Sequence, residues 1–453
     1  MTDTEKKITE YVDSNKDRFI ELLRELIRIP SVTGYEKAAQ EFVAEKLGNL
    51  GFEVDVTEGD LKDMFEKYPE TANFPSIGEE GLDMPLMTDG FFTYEQLMAS
   101  PYDRLKSYKD RPNVVGLLKG NGKGKSLIIN GHIDTVPVGD ESKWTKSPFG
   151  AEIEDGKVYG RGSTDMKGGI AAMLAAAETV RKLGIPLSGD LMLQSVVNEE
   201  HSGSGALGVV AQGYTADAAI VAEPAAGPGA KGVSVGNGGG VYWEVRVKGQ
   251  EAHAGSRWQD GKLYGVSANE KGALVVCNLI KMESEVNRER TLMSLCVGKL
   301  HGGTYATASA PECVINGVAY FSPYLGSGSE GLRKVMGMIR DAVLGTDDPW
   351  LRENPPSVRF QHYDDAYLLP EEWGEIRDEV AGSVRDVLDT EPECFVFGSG
   401  CDARHLANQG GIPTVMYGPG NLPQAHIADE YISIEDYIKS IKVLAVTISR
   451  WCR

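Results

Sequence analysis

His132, Asp165, Glu200, Glu223 and His426 are side chains of the kind that bind divalent metals, and each follows a short apolar run or sits in a glycine-rich turn. Ser126-Leu-Ile-Ile-Asn130 runs into Gly131-His-Ile-Asp134, and Leu191-Met-Leu-Gln-Ser-Val-Val197 runs into Asn198-Glu-Glu200. Ala218-Ala-Ile-Val-Ala222 ends on Glu223-Pro224, and Pro413-Thr-Val-Met-Tyr417 leads through a glycine-rich loop to His426. Gly160-Arg-Gly-Ser-Thr-Asp165 opens a helix. A brief apolar run bounded by turn residues reads as a buried parallel strand. In open α/β sheets ligands bind in the crevice beyond the carboxyl ends of such strands.

Two imidazoles and three carboxylates brought to one rim make a binuclear divalent-metal site. Two divalent cations carry four positive charges against three negative ones from Asp165, Glu200 and Glu223, and a metal-bridging hydroxide would neutralise the cluster. Such sites lower the pKa of water and generate a nucleophile at neutral pH. Histidine and carboxylate ligands without thiolate suit zinc, with manganese or cobalt as alternatives. Asp134, two residues after His132, reads as the partner that holds the imidazole in its ligating tautomer. Glu199 and Glu200 are adjacent at a strand end and point in different directions, so one can bind metal while the other faces substrate. Alone, each residue has a plainer explanation: a solvated turn, or for Asp165 a helix cap favoured by the N-terminal dipole. The coincidence of five such residues carries the metal site. Cys401 follows Gly-Ser-Gly but has no histidine-paired nucleophile motif around it, and it reads as a packing residue.

Positioning these side chains takes an α/β scaffold. Residues 5–28 carry a helical pattern stopped at Pro30, a second helix ends near Gly51, and Phe52–Thr57 alternates like a strand. From Asn113 the α/β alternation is regular, and the helix after Asp165 stops at Gly184. The intervening stretch 58–112, rich in Asp, Glu, Pro, Gly and Met, reads as a surface insertion, with an active-site flap as the alternative. After Gly236 the order becomes β-α-β-β-α-β, the ferredoxin-like pattern, through to about residue 362. Three segments follow: 1–236 and 363–453 form one large domain with a mostly parallel sheet flanked by helices, and 237–362 is a smaller domain inserted into it.

The chain has 453 residues, enough for two cores, and its 41% hydrophobic and 25% charged content is that of a globular enzyme. The formal charge of −20 argues against nucleic acid as a partner. No apolar run approaches bilayer length, and the charged N-terminus is unlike a signal peptide. Six cysteines without framework spacing read as free thiols, so a cytoplasmic location is expected, with no membrane partner.

Six motifs in order then resemble a known family: Gly131-His-Ile-Asp-Thr-Val-Pro137, Gly160-Arg-Gly-Ser-Thr-Asp-Met-Lys-Gly-Gly169, Asn198-Glu-Glu-His-Ser-Gly-Ser-Gly-Ala206, Glu223-Pro224, Glu251-Ala-His-Ala-Gly255, and Tyr417-Gly-Pro-Gly420 with His426. The chain resembles the di-zinc amidohydrolases that include acetylornithine deacetylase, succinyl-diaminopimelate desuccinylase, aminoacylase and glutamate carboxypeptidase. The resemblance implies that His132 and Glu223 bind one metal, Glu200 and His426 the other, and that Asp165 bridges them. It further implies Glu199 as general base, Asp134 as the group orienting His132, and the inserted domain as a lid that carries homodimer contacts. His253 would steady the oxyanion, often in the partner subunit.

One departure concerns substrate binding. Many members grip the substrate carboxylate with an arginine on a strand of the small domain, but here no arginine occurs between Arg290 and Arg333. Arg257, Arg404 and Asn421 remain as substrate-binding candidates, arginine being suited to bidentate carboxylate recognition. The expected activity is hydrolysis of the amide bond of a small N-acyl amino acid or related N-acyl amine. The alternatives are a dipeptidase or carboxypeptidase using the same metals and a non-catalytic metal-stabilised scaffold. The scaffold has no need of Glu199.

Overall fold

A computed structural model describes residues 1–71 and 86–453; the part of the 58–112 insertion between them lies outside the described residues. The large sheet is mixed and nine-stranded. At its centre Leu127–His132 lies parallel to Leu191–Val196 on one side and to Ala218–Val221 on the other, and Thr414–Met416 continues the parallel set beyond Ala218–Val221. These four strands are almost wholly buried, which is why their sequences are continuous apolar runs rather than alternating ones. Their common direction brings the residues after them to one rim. Asn113–Leu118 and Glu53–Thr57 extend one side antiparallel.

Helix Lys167–Lys182 covers one face and packs against the C-terminal helix Ile434–Trp451. Its first turn runs very close to the sheet. A side chain at Gly169 would place its Cβ 2.0 Å from the Ala222 carbonyl oxygen, so glycine is required where the helix start meets the strand leading to Glu223. The N-terminal helical pattern is split into Asp3–Ser14 and Lys16–Ile27. Asn15 leaves the helical region with φ −111° and bonds its side-chain amide to the Tyr11 carbonyl, ending one helix and starting the next.

Residues 239–364 form a second, antiparallel sheet in the order Met293–Gly302, Glu312–Phe321, Gly239–Lys248, Ser357–Asp364. Helices Ala268–Val286 and Gly328–Leu344 bury Val275, Leu279, Val335 and Ile339 on one of its faces, against Trp243 and Val245. Alternation turns Tyr242, Glu244 and Arg246 to the other face.

The insertion departs from a surface loop. Helix Leu61–Lys67 buries Leu61, Met64 and Phe65, and Phe92, Leu97, Leu105 and Tyr108 also join the main core. The segment spans both sheets: Thr88 pairs its backbone with Phe360 at 2.9 and 2.7 Å, Phe92 stacks on Tyr363, and Glu70 pairs with Arg333. Its polar composition conceals these anchors because they are few and irregularly spaced. Phe92→Ala is expected to cost about 3–5 kcal/mol, as for other buried aromatics. Thermal unfolding should show an apparent Tm several degrees lower, and an unchanged Tm would return the segment to the surface.

Candidate metal centre

The five residues expected to bind metal converge. His132 Nε2 lies 3.2 Å from Asp165 Oδ1 and 3.7 Å from Glu223 Oε1. His426 Nε2 lies 3.3 Å from Asp165 Oδ2 and 3.0 Å from Glu200 Oε2. Ligand atoms about 2.1 Å from a tetrahedral ion stand about 3.4 Å apart, so these spacings fit two ions sharing one carboxylate. The two oxygens of Asp165 face different imidazoles, as a bridging group must. His132, Asp165 and Glu223 are buried and Glu200 half-buried, whereas the His426 side chain is 53% exposed and lines the cavity. Glu199 Oε2 stands 3.8 Å from His132 Nε2 and lines the same cavity.

The electrostatics also fit cations. Burial first, and then the charges of neighbouring acids, pushes Glu199 and Glu223 well above the usual carboxylate range. Burial opposes charge on His132 as well, yet Asp165, Glu199 and Glu223 raise it well above an ordinary imidazole. Buried acids this close to one another are held as anions when divalent cations supply the compensating charge.

Asp134 serves the site through two groups. Its backbone carbonyl accepts the His132 Nδ1–H at 2.9 Å, which leaves Nε2 unprotonated and facing the acids of the cluster. Its carboxylate stands farther from the ring, at 3.6 Å. It accepts instead from the Glu199 N–H at 3.1 Å, the Glu200 N–H at 3.3 Å and the Thr33 hydroxyl at 2.8 Å. The expected ring-orienting role thus falls to the main chain, and the side chain holds the Glu199-Glu200 turn.

That turn begins at Asn198, which has φ 65°, a left-handed conformation that asparagine tolerates. Arg111 fixes it, donating to the Asn198 side-chain oxygen at 2.9 Å and pairing with buried Glu36 through two bonds of 2.6 and 3.0 Å. The Asp165 loop has a similar brace. Glu430 accepts from the Thr164 and Asp165 N–H groups at 2.9 and 3.2 Å and from Arg161 at 2.7 Å. None of these supporting residues was singled out from sequence. The visible signals were Glu430 four residues after His426 and Arg161 inside the Asp165 motif.

The substrate-binding candidates are dispersed. Arg257 is outside the cavity lining, in a two-pronged pair with Glu270 at 2.6 and 2.8 Å. Arg404 lines the cavity but is buried against Asp364 at 2.6 Å and Asp365 at 3.3 Å. Asn421 is half-buried in the loop before His426, its N–H bonded to the Thr164 hydroxyl. His253 is exposed and outside the cavity lining, where its ring accepts from the Gly255 N–H. Tyr242, Tyr320, Gln361 and His362 of the antiparallel sheet complete the cavity wall, and the sequence reading missed them.

Comparison with known proteins places the chain among relatives. The family model described as peptidase family M20/M25/M40 matches residues 128–450. The N-formyl-4-amino-5-aminomethyl-2-methylpyrimidine deformylase of Bacillus subtilis is 33% identical over 390 residues, covering 77% of this chain and 85% of the relative. The succinyl-diaminopimelate desuccinylase of Rhodospirillum centenum is 27% identical over 440 residues, covering 95% and 97%. The crystal structure of aminopeptidase PepT from Bacillus cereus superposes with a TM-score of 0.69 at 19% identity, covering 97% of this chain and 99% of that one, which is a likeness of fold.

The brace on the Glu199-Glu200 turn is testable. Arg111→Gln and Glu36→Gln should each cost about 3–5 kcal/mol, since each leaves a buried charge without its partner. The double variant should lose less than the sum. Thermal or denaturant unfolding of the four proteins checks this, and strict additivity would mean the two side chains do not act as a unit.

Proposed function

The chain belongs to the peptidase M20/M25/M40 family, and from that premise we propose that it is a binuclear metal-dependent deacylase of small N-acyl amines. It is an amide-bond hydrolase of the metal-dependent kind. The observation that carries the binuclear reading is the Asp165 carboxylate, whose oxygens each face a different histidine, with Glu199 beside them. The donor set favours zinc, with manganese or cobalt as substitutes. The deformylase and desuccinylase relatives favour an acyl group on a small amine over a peptide.

Divalent ions held by His132, Asp165, Glu223, Glu200 and His426 would supply Lewis acidity toward the amide carbonyl and the attacking water. The protein's own part is proton transfer and positioning. Glu199 takes a proton from the water as its oxygen bonds to the carbonyl carbon. It returns a proton to the amine nitrogen as the C–N bond breaks. Asp134 keeps the Glu199 backbone fixed through this exchange.

Residues 237–362 are read as an inserted lid and dimerisation domain. His253 is exposed and outside its own subunit's cavity, which favours a role as oxyanion donor in the partner subunit of a homodimer. The six cysteines are all free thiols, and among the described residues no helix is long and apolar enough to cross a membrane. The free thiols favour a cytoplasmic location.

Removing metal with a chelator should abolish hydrolysis of an N-acyl amine panel, and zinc should restore it. Glu199→Gln is expected to keep its metal by elemental analysis while losing about 10²–10⁴-fold in kcat; near-wild-type turnover would take Glu199 out of the role. His253→Ala should lower kcat about 10²–10³-fold. Mixing that variant with Glu199→Gln should regain activity if sites are shared between subunits, and no gain on mixing counts against sharing.

A further inference from the structure

We propose that His362 is a further catalytic residue: it accepts a hydrogen bond from the N–H of the scissile amide and so turns the nitrogen lone pair toward Glu199. This rests on the deacylase reading above and adds a residue to that site. Three observations carry it.

The first is how the side chain reaches the cavity. Gln361 and His362 are consecutive in the strand Ser357–Asp364, yet both line the cavity over Asp165. A regular strand sends successive side chains to opposite faces. Here the register slips: Phe360 pairs with Trp243 and Tyr363 with Val241, which leaves Gln361 and His362 opposite Tyr242 alone. A bulge of this kind re-aims a side chain, and bulges gather beside active sites.

The second is the orientation of the ring. Asp364 lies 3.1 Å from His362 Nε2 and pairs with Arg404 at 2.6 Å. Burial opposes charge on Asp364, yet Arg404 and His362 hold its carboxyl well below the usual range. A carboxylate can only accept, so Nε2 carries the hydrogen and the neutral ring keeps a lone pair on Nδ1. Among the described residues no protein group bonds Nδ1. The Tyr242 ring meets the imidazole edge-on, with centroids 5.3 Å apart and an angle of 74°, which fixes its plane. His201 also lines the cavity, but its buried Nε2 has no hydrogen-bond partner among the described residues to set its tautomer.

The third is placement relative to Glu199. Arg404 is 2% exposed, and its Nη2 donates both to Asp364 Oδ1 at 2.6 Å and to the Ser202 carbonyl at 2.9 Å. Ser202 closes the short helix that starts at Glu199, and the strand of His362 packs against that helix. One buried guanidinium thus joins the two elements, and their spacing is set by protein groups alone. An amide nitrogen becomes pyramidal when water adds to the carbonyl carbon. With its N–H held by Nδ1, its lone pair turns from His362 toward Glu199. As the C–N bond breaks, the electron pair stays on nitrogen, the proton comes from Glu199, and His362 gains none.

Paired probes isolate the N–H. N-formylbutylamine and butyl formate share an acyl group and a chain, and only the amide has an N–H to donate. With zinc-loaded protein, His362→Gln should lower kcat/KM about 10–100-fold for the amide and about 2-fold for the ester. Glutamine still reaches Asp364 with an N–H, so Tm and zinc content should match wild type. Equal losses on both probes, or wild-type amide turnover in His362→Gln, reduce His362 to a strut for Asp364 and overturn the proposal. An amide-selective loss in His201→Gln alone also overturns it, moving the acceptor to His201. In zinc-loaded Glu199→Gln with ¹⁵N-labelled histidine, the amide should shift the Nδ1 resonance that His362→Gln deletes, and the ester should not. No shift with the amide overturns the proposal. Wild-type protein that hydrolyses neither probe counts against the deacylase reading, and the resonance then decides His362 by itself.

Discussion

A carboxylate whose two oxygens each face a different imidazole has no freedom to rotate, and the loops around the large sheet are organised around that restriction at Asp165. His132 approaches one oxygen from the end of a central strand, and His426 approaches the other from a loop near the C-terminal helix. Neither approach is useful unless the Asp165 loop is fixed to within a few tenths of an ångström. Glu430 and Arg161 supply that fixity through a buried ion pair that also binds two backbone N–H groups of the loop. Gly169 lets the following helix lie flush against the strand that delivers Glu223. The Asp165 carboxylate thus has a charged brace below it and a close-packed helix beside it.

The same economy recurs at the Glu199-Glu200 turn, where anions hold backbone donors and a second ionic pair holds the anions' frame. Asp134 takes both N–H groups of the turn, Thr33 bonds Asp134, and Arg111 with Glu36 fixes Asn198 in its left-handed conformation. Arg111 comes from the end of the insertion, and its guanidinium also lies 5.4 Å from the Tyr108 ring centre. The insertion therefore reaches the chemistry through the geometry of this turn as well as through packing.

The central strands were legible because burial on both faces makes them unbroken apolar runs, and His132, Glu200 and Glu223 were legible because they follow such runs directly, whereas Asp165 and His426 stood out only by their glycine-rich surroundings. The β-α-β-β-α-β order of the second sheet was readable from periodicity in the same way. What could not be read were contacts between residues distant in the chain. Arg111 meets Glu36 across 75 positions and Asn198 across 87, and no local pattern announces either. The backbone of Asp134, rather than its carboxylate, holds His132, a distinction that residue type cannot express. The alternation around Tyr242 separates two faces, but only the placement of the helices decides which of them meets the cavity over Asp165. Asn15 broke a helix that apolar spacing alone carried through.

Thr88 bonds to Phe360 on the outermost strand of the antiparallel sheet, and so it caps backbone groups that would otherwise face solvent. An open strand edge is a template for pairing with another chain, and natural sheets guard against that with charges, bulges or a covering segment. In this protein the cover comes from Thr88, in the segment that precedes the central strands. Versions that shorten this segment must therefore find another guard for the Ser357–Asp364 edge, or become prone to self-association there while the cluster around Asp165 stays intact.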